Sequence, residues 1–273
     1  MQSKNHMKFQ DKVVVVTGAS SGIGLALARE FSRQGANLVI GARSIGKLQE
    51  IVTSLPAESL AVQCDVSIET DCRQLIYAAV HKFGRIDVLI NNAGLSMRAL
   101  LDDVDPDVLR RLMDVNFWGT VYCTKYALPF IQVSRGSIVG VSSVAGFHGL
   151  PARTGYSASK YAMQGFLETV RIENLKKGVH VMIAAPGFTA SNVRFSALTA
   201  DGSSQGESPR DEQGMMTAEE VARRIAKGVV RRKRTLVMDF NGRATVFLKK
   251  IAPSLLDRIF YSHMAKEPDS PFK

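Results

Sequence analysis

A tyrosine and a lysine that could act together in proton transfer, Tyr156 and Lys160, lie four residues apart in the sequence. On a helix, side chains at this spacing share one face, so the phenol and the ammonium would point at one place. A free tyrosine ionises near pH ~10, and a nearby cation favours the phenolate and lowers that pKa. The pair therefore predicts a general acid or base that works near neutral pH. Because such pairs also occur on ordinary helix surfaces, the prediction depends on the stretches around them.

A glycine-rich stretch near the start of the chain indicates a phosphate-binding site. Residues 12–16 form an apolar, β-branched run typical of a buried parallel strand, and residues 25–33 have the pattern of a helix. The spacing G-x-x-x-G-x-G between them leaves backbone N–H groups and a helix N-terminus facing an anion. This context favours a dinucleotide site over a tight structural turn. The expected cofactor contacts here are Gly18, Ser20, Ser21, Gly22, Ile23 and Gly24.

The residues after the second and third predicted strands indicate which dinucleotide is bound. After the second strand of such folds, a carboxylate accepts hydrogen bonds from ribose hydroxyls, whereas an arginine accommodates a 2′-phosphate. This chain has Arg43 and Ser44 there, without an adjacent carboxylate. An arginine that binds the 2′-phosphate of NADP(H) is therefore favoured over an exposed loop arginine without a role. Asp65 and Val66 follow the third strand. Asp65 is either an adenine contact or a turn residue, and its place at a strand's carboxyl end favours the contact.

Polar and small residues follow the later strands as well. The stretch after the fourth predicted strand is Asn91, Asn92, Ala93 and Gly94. Its small residues let the backbone pass close to a cofactor, and its amides could brace neighbouring strands. Ser142 and Ser143 follow the fifth strand. Asn116 lies inside a helix predicted at 106–131, and because asparagine has poor helix propensity it needs a reason, which is either function or a packing hydrogen bond.

The order of these elements predicts the fold. Apolar strands alternate with helices, and repeated β-then-α units form a doubly wound parallel sheet with right-handed crossovers. With 273 residues and 45% hydrophobic composition, the chain can bury a full core. We therefore expect a single α/β domain with a Rossmann-type sheet of about seven strands and helices on both faces. In detail, we expect Ser67 to cap the third helix, Thr217 to cap a later one and residues 234–240 to form the last strand.

Together these stretches resemble the classical short-chain dehydrogenase/reductase family over about residues 12–191. The matching motifs are T-G-x-x-x-G-x-G from Thr17, N-N-A-G from Asn91, the serine Ser143, Y-x-x-x-K from Tyr156 and P-G at Pro186 and Gly187. Ser143 precedes Tyr156 by thirteen residues, the usual separation in this family. Each motif alone is weak, but five in order at the expected separations are specific.

The resemblance implies a role for each matching residue. Tyr156 would protonate a substrate carbonyl as hydride arrives, and Ser143 would polarise the same oxygen. Lys160 would lower the pKa of Tyr156 and hold the nicotinamide ribose, while Asn116 would anchor a water that links Lys160 to solvent. Further cofactor contacts would come from Pro186, Gly187 and Thr189.

The resemblance also bears on the cofactor and on assembly. NADP-preferring relatives often carry a basic residue where this chain has Ser21. Recognition of the 2′-phosphate would therefore depend mainly on Arg43, assisted by Ser20 or Ser44. Relatives usually form dimers or tetramers through their long helices, which implies a homodimer or homotetramer here.

The predicted domain has three parts. Residues 10–187 form the cofactor-binding and catalytic core, and residues 217–273 supply the C-terminal helices and the last strand. Residues 188–216 lack periodicity, and in this family such a segment typically covers the substrate pocket, so we expect a mobile lid. For residues 201–214, a surface insertion without a role is nearly as good an interpretation.

An apolar stripe with helical spacing occupies residues 244–261, divided by Pro253. Lys249, Lys250 and Arg258 lie beside it, so it could rest on an anionic membrane surface. We favour packing on the domain or on a partner subunit near the mouth of the substrate pocket, because such stripes are more often core. An apolar rim there would suit a hydrophobic substrate.

Charge and composition limit the other partners and the location. The formal net charge is +10, but the basic residues are scattered, and the run at 231–234 is typical of a solvated helix end. We therefore expect no nucleic acid partner, and the absence of metal-ligand spacing predicts no metal. The sequence shows no membrane-spanning run or signal peptide, and its three cysteines lack a paired spacing, which predicts a reducing, cytoplasmic location.

The leading hypothesis is an NADP(H)-dependent oxidoreductase of the EC 1.1.1 type that moves a hydride between nicotinamide and a carbonyl or hydroxyl group of a hydrophobic small molecule. One alternative with the same chemistry is a 3-oxoacyl carrier protein reductase, whose acidic carrier would dock on basic residues such as Lys176 and Lys177. An alternative of another class is a non-catalytic NADP(H)-sensing module. The complete set of catalytic residues disfavours it, because a sensor has no need of a proton donor.

Overall fold

The computed structural model describes residues 7–187, 189, 196–206, 215–266, 270 and 272, and a seven-stranded parallel sheet forms its centre. The strands are β1 Val13–Thr17, β2 Asn37–Ala42, β3 Ser59–Gln63, β4 Val88–Asn91, β5 Ser137–Val141, β6 His180–Ala185 and β7 Thr235–Val237. They lie in the order β3-β2-β1-β4-β5-β6-β7, and each neighbouring pair is parallel. The chain direction across the sheet therefore reverses between β1 and β4, where ligands bind in open sheets of this kind. The predicted doubly wound α/β fold is confirmed.

Helices cover both faces of this sheet. They are α1 Gly22–Arg33, α2 Ile45–Ser54, α3 Glu69–Phe83, α4 Pro106–Met113, α5 Gly119–Ser134, α6 Thr154–Glu173, α7 Ala218–Val230, α8 Phe240–Ile251 and α9 Pro253–Ala265. The single helix predicted at 106–131 is interrupted, because Asp114–Trp118 forms a π-helical turn between α4 and α5. Among the described residues, no helix is both long enough and apolar enough to cross a membrane.

The core lies in two layers because alternate residues of each strand point to opposite faces of the sheet. Val14 and Val16 pack in the layer that contains Phe31 of α1, and Val15 packs in the layer that contains Leu167 of α6. All of these side chains are fully buried. Burial on both faces explains why inner strands such as β1 are continuous apolar runs in the sequence.

Two predicted details of secondary structure are wrong. Helix α3 begins at Glu69 after Ile68, because the Ser67 hydroxyl donates a hydrogen bond to Asp65 Oδ1 (2.7 Å) instead of capping the helix. The last strand is shorter than 234–240, since Asp239 caps α8 by accepting a hydrogen bond from the Gly242 N–H (3.2 Å). The predicted cap of α7 is confirmed, because the Thr217 side chain accepts a hydrogen bond from the Glu220 N–H.

The C-terminal stripe divides at Pro253 into α8 and α9, as predicted. Leu256 and Met264 are buried against the domain, whereas several apolar residues of both helices are exposed. The basic run at 231–234 is exposed and follows the end of α7. Of the predicted lid, Thr189, residues 196–206 and residues 215–216 are described, and the remainder lies outside the described residues.

Candidate active site

The carboxyl ends of the central strands open into a cleft of about 430 Å³. It is lined by most of the site residues predicted from the sequence. These are Gly18, Ser20, Ser21, Gly22, Ile23, Gly24, Arg43, Ser44, Asp65, Val66, Asn92, Ala93, Gly94, Ser143, Tyr156, Lys160, Pro186, Gly187 and Thr189. Two predicted residues, Asn91 and Asn116, lie behind the cleft wall and do not line it.

The glycine-rich loop is held in shape by the segment that follows β4. Gly18 has a φ of +65°, and a Cβ there would lie 2.7 Å from the Cα of Ala93. A Cβ on Gly24 would lie 2.1 Å from the Gly18 carbonyl oxygen, so neither position accepts a side chain. Asn92 fixes the loop further, because its Nδ2 donates hydrogen bonds to the carbonyl oxygens of Thr17 (2.9 Å) and Gly18 (3.2 Å).

This loop has the features of an anion-binding site. It leads directly into α1, whose N-cap residue Ser21 makes no side-chain capping hydrogen bond. The first N–H groups of α1 and the positive end of its dipole are therefore turned toward the cleft end of the loop. No carboxylate of α1 lies in its first turn. These residues fit a dinucleotide pyrophosphate.

The part of the cleft where the sequence predicts the adenosine combines one exposed cation with one carboxylate. Arg43 is exposed immediately after β2, next to Ser44. Asp65 lines the cleft after β3, and its Oδ1 also accepts hydrogen bonds from the N–H (3.0 Å) and the hydroxyl of Ser67. Asp65 is thus a turn residue that also lines the cleft, and its contact with adenine stays a prediction.

Three polar side chains converge near the end of β5. Ser143 follows β5, and its Oγ accepts a hydrogen bond from the Ala145 N–H (3.2 Å), which begins a short 3₁₀ turn at Val144–Gly146. Tyr156 lies in the first turn of α6 and lines the same cleft as Ser143. Lys160 follows one turn later, with its Nζ 5.8 Å from the centre of the Tyr156 ring. The predicted sharing of one helix face is confirmed.

Burial changes the proton affinity of both groups. Lys160 is 4% exposed and its Nζ donates to the Val141 carbonyl oxygen (2.9 Å), and this burial lowers its pKa to about 8. Burial also raises the pKa of Tyr156, while the Ser143 hydroxyl and the charge of Arg153 act to lower it. The net shift of Tyr156 is opposite to the direction expected from a nearby lysine. The reason is that the low dielectric of the cleft floor disfavours the phenolate more than its neighbours stabilise it.

Asn116 supports the cleft from behind. It is fully buried in the π-helical turn, where its Oδ1 accepts a hydrogen bond from the Leu95 N–H (2.8 Å). Its Nδ2 donates to the Leu95 carbonyl oxygen (2.9 Å) and to Ser159 Oγ (2.8 Å). A Cβ on Gly94 would lie 3.0 Å from Asn116 Oδ1 and 3.4 Å from Lys160 Nζ. Asn116 therefore makes the packing hydrogen bonds that the sequence allowed, and it lies near Lys160.

Asn91, which the sequence predicted as a cofactor contact, does not line the cleft and instead connects two elements of the fold. It is buried at the end of β4, and its Nδ2 donates a hydrogen bond to Thr124 Oγ1 on α5 (3.1 Å). Within the described chain its Oδ1 has no hydrogen-bond partner. The Asn91 amide thus connects the sheet to α5 and not to a neighbouring strand. The expected brace between strands comes from Asn92, whose Nδ2 donates to the Thr17 carbonyl oxygen at the end of β1.

Arg153 is a cleft residue that the sequence did not indicate. Its Nη1 donates hydrogen bonds to Ser96 Oγ (2.8 Å) and to the Met97 carbonyl oxygen (2.6 Å), which joins the segment after β4 to the start of α6. The same segment pairs with Leu198, whose N–H donates to the Ser96 carbonyl oxygen (2.9 Å). The described part of the predicted lid is therefore attached to the wall of the cleft. A contact between separate loops leaves no periodicity or motif that would reveal it.

The comparisons with known proteins agree with this geometry. The family model described as short chain dehydrogenase matches residues 12–201. Dehydrogenase/reductase SDR family member 7B of Mus musculus is 35% identical, with the alignment covering 99% of this chain and 86% of that protein. 11-beta-hydroxysteroid dehydrogenase A of Sesamum indicum is also 35% identical, over 96% of this chain and 78% of that protein.

Solved structures share the overall fold of this chain. A short chain dehydrogenase/reductase from Burkholderia phymatum in complex with NAD is 25% identical with a TM-score of 0.81, covering 91% of this chain and 96% of that one. An alcohol dehydrogenase from the archaeon Thermococcus sibiricus complexed with 5-hydroxy-NADP is 26% identical with a TM-score of 0.74, covering 83% and 95%. Sequence motifs, sheet order and relatives agree, and the chain belongs to the short-chain dehydrogenase/reductase family of oxidoreductases.

Proposed function

We propose that the protein is an NADP(H)-dependent oxidoreductase that moves a hydride between nicotinamide and a carbonyl or hydroxyl group of a hydrophobic small molecule. The observation that carries this proposal is the convergence of Ser143, Tyr156 and Lys160 at one end of a cleft whose other end holds the glycine-rich loop and Arg43. A site with a proton donor at one end and an anion cradle at the other suits a dinucleotide and a small carbonyl compound.

The cofactor, when bound, supplies the hydride chemistry, and the protein supplies placement and proton transfer. Tyr156 holds a proton at its phenol oxygen and transfers it to the substrate oxygen during reduction, or accepts it during oxidation. Ser143 donates a hydrogen bond to the same substrate oxygen and stabilises the charge that develops there. Lys160 would hold ribose hydroxyls, and its positive charge favours the phenolate as the proton leaves.

NADP(H) preference rests on Arg43. The guanidinium is exposed at the end of β2, beside Ser44, and neither neighbour in the sequence is a carboxylate. An arginine there forms an ion pair with the 2′-phosphate of NADP(H). The free ribose hydroxyl of NAD(H) carries no charge and cannot form such an ion pair. Relatives solved with NAD and with an NADP derivative are both known, so the preference depends on this chain's own residues.

The substrate is proposed to be hydrophobic because Leu95, Val115 and Leu150 line the cleft, and because relatives include a hydroxysteroid dehydrogenase. No observation favours the carrier protein reductase. Lys176 and Lys177 follow the far end of α6, and a helix of 20 residues spans about 30 Å, so they lie well away from Tyr156.

The proposal is tested with Tyr156→Phe. Loss of the proton donor should reduce carbonyl-dependent NADPH consumption by roughly 10²- to 10⁴-fold across aliphatic, aromatic, steroid-like and 3-oxoacyl substrates. NADPH binding, measured by fluorescence, should remain, because the glycine-rich loop and Arg43 are unchanged. Equal consumption by the variant and the wild type would refute the assigned role. Binding of NADPH by a wild type that reduces no carbonyl would favour the sensing module.

A further inference from the structure

One apolar surface of the domain remains exposed in the described chain. It consists of Phe240, Phe247 and Ile251 on α8, and of Leu255 and Ile259 on α9, and we name it the C-terminal apolar surface. These side chains are between 48% and 77% exposed. The residues on α8 are spaced by seven and four and those on α9 by four, so each set occupies one face of its helix. Single exposed apolar residues are ordinary, but such a set is not.

The charged residues around this surface have almost one sign. Residues 240–266 contain five lysines and arginines, which are Arg243, Lys249, Lys250, Arg258 and Lys266, and a single acidic residue, Asp257. Arg243 and Lys250 lie one helical turn from Phe247, and Arg258 lies one turn from Leu255, so cations border the exposed face of both helices. Apolar side chains with basic neighbours are the pattern of a helix that rests in the interface of an anionic membrane.

The composition argues against a subunit interface at this place. Interfaces between protein subunits are depleted in lysine at their centres. Two copies that met through this surface would also bring cations of the same sign together, which is unfavourable. Anionic lipid headgroups, by contrast, would attract each of these cations while the apolar side chains enter the boundary of the acyl region.

The surface adjoins the substrate side of the cleft. Helix α8 contacts the loop after β5, because Lys249 Nζ donates a hydrogen bond to the Phe147 carbonyl oxygen (2.6 Å). The His148 ring packs on Phe260 of α9, with ring centres 5.0 Å apart. Leu150 of the same loop lines both the active-site cleft and a second pocket against α9. A molecule that leaves a bilayer at this surface would therefore enter beside the cleft.

We propose that the C-terminal apolar surface binds the headgroup and upper acyl region of an anionic lipid bilayer. The apolar residues supply the burial, and Arg243, Lys250 and Arg258 supply the attraction to negative headgroups. This attachment requires no activity of the enzyme, so it can be tested independently of the proposed reaction.

The experiment is co-sedimentation of the full chain with vesicles of phosphatidylcholine alone or mixed with phosphatidylglycerol. The wild type should bind the mixed vesicles, with an affinity that falls as salt is raised. Phe247→Ser with Ile251→Ser should reduce the partition coefficient roughly tenfold or more, since two apolar side chains are lost. Lys250→Glu with Arg258→Glu should reduce it on mixed vesicles and leave the weak binding to neutral vesicles unchanged.

Matched controls separate a local effect from a general one. Val133→Ser with Ile172→Ser removes two apolar side chains that are 87% and 64% exposed elsewhere, and Arg231→Glu with Lys233→Glu reverses two charges elsewhere. Both controls should keep vesicle binding, and far-UV circular dichroism should show that every variant is folded. Unchanged binding by the α8 variant would overturn the proposal. The proposal would also be overturned if the wild type did not bind vesicles and instead self-associated, and if the α8 variant lost this self-association. The surface would then be a subunit interface.

Discussion

The Lys160 ammonium is buried, and burial lowers its pKa. Within the described chain no ion pair opposes this effect. The pKa of Lys160 is lowered to about 8, so below that pH the folded protein must keep a desolvated charge. Lys160→Met should therefore raise the free energy of unfolding at pH 7 by on the order of 1–3 kcal/mol. The measurement is urea unfolding of the cofactor-free protein. Lys177→Met, at an exposed position, should leave stability unchanged.

The pH dependence fixes the sign of this effect. At pH values between about 8, the pKa in the folded state, and 10.5, the ordinary pKa of lysine, the unfolded state binds more protons at this lysine than the folded state does. The contribution of Lys160 therefore makes the wild type more stable as pH rises through this range, and the advantage of the methionine variant should shrink. A methionine variant that is less stable than the wild type at pH 7 would show that the burial of this charge is compensated.

Arg43 decides between the two nicotinamide dinucleotides if it binds the 2′-phosphate. Arg43→Ala should then weaken NADPH binding by roughly 10- to 100-fold, as expected for the loss of a charged hydrogen bond, and should hardly change NADH binding. Titration of both cofactors by fluorescence measures this. Arg29→Ala removes another exposed arginine, on α1, and should affect neither cofactor. Equal losses for NADPH and NADH would contradict the assignment.

At the scale of elements, the π-helical turn between α4 and α5 depends on Asn116. Its side chain satisfies the N–H and the carbonyl oxygen of Leu95, so Asn116→Ala should leave these partly buried backbone groups unpaired. The expected loss is on the order of 3 kcal/mol in the free energy of unfolding, measured in urea. Asn241→Ala, at an exposed position on α8, serves as the control and should have little effect. A stable Asn116→Ala variant would mean that these bonds contribute nothing net.

The elements differ in how far the sequence determines them. Strands such as β2 and the position of Tyr156 and Lys160 on one helix face were predictable, because apolar runs and a four-residue spacing act locally. The π-helical turn at Asn116 was not, since it depends on a partner, Leu95, that is distant in the sequence. The contact of Arg153 with Ser96 has the same origin. Long-range hydrogen bonds between loops leave no local pattern, and they shape much of the cleft wall.

At the scale of the whole molecule, the basic residues fall in regions that differ in character. Arg232 of the exposed run donates hydrogen bonds to carbonyl oxygens at Gly178 and Arg135, which precede β6 and β5 and lie at the edge of the sheet opposite the cleft. The basic residues of α8 and α9 instead lie beside the C-terminal apolar surface and near the loop after β5 that lines the cleft. A net charge of +10 therefore does not describe one uniform surface. Charge reversal on α8 and α9 should weaken membrane binding, whereas charge reversal in the exposed run at 231–234 should not.

Both faces of the sheet should unfold together, because they are built from the same strands. Leu89 and Ile90 are neighbours on β4, both fully buried, and they pack in opposite core layers. Leu89→Ala and Ile90→Ala should each lower the free energy of unfolding by about 2–5 kcal/mol, and both variants should keep a single transition. Fluorescence of Trp118, the only tryptophan, and far-UV circular dichroism should give the same midpoint in urea. Val133→Ala, at a position that is 87% exposed, should change stability by less than about 0.5 kcal/mol. Two separate transitions in either core variant would contradict this prediction, because they would mean that the two layers unfold independently although they share strands.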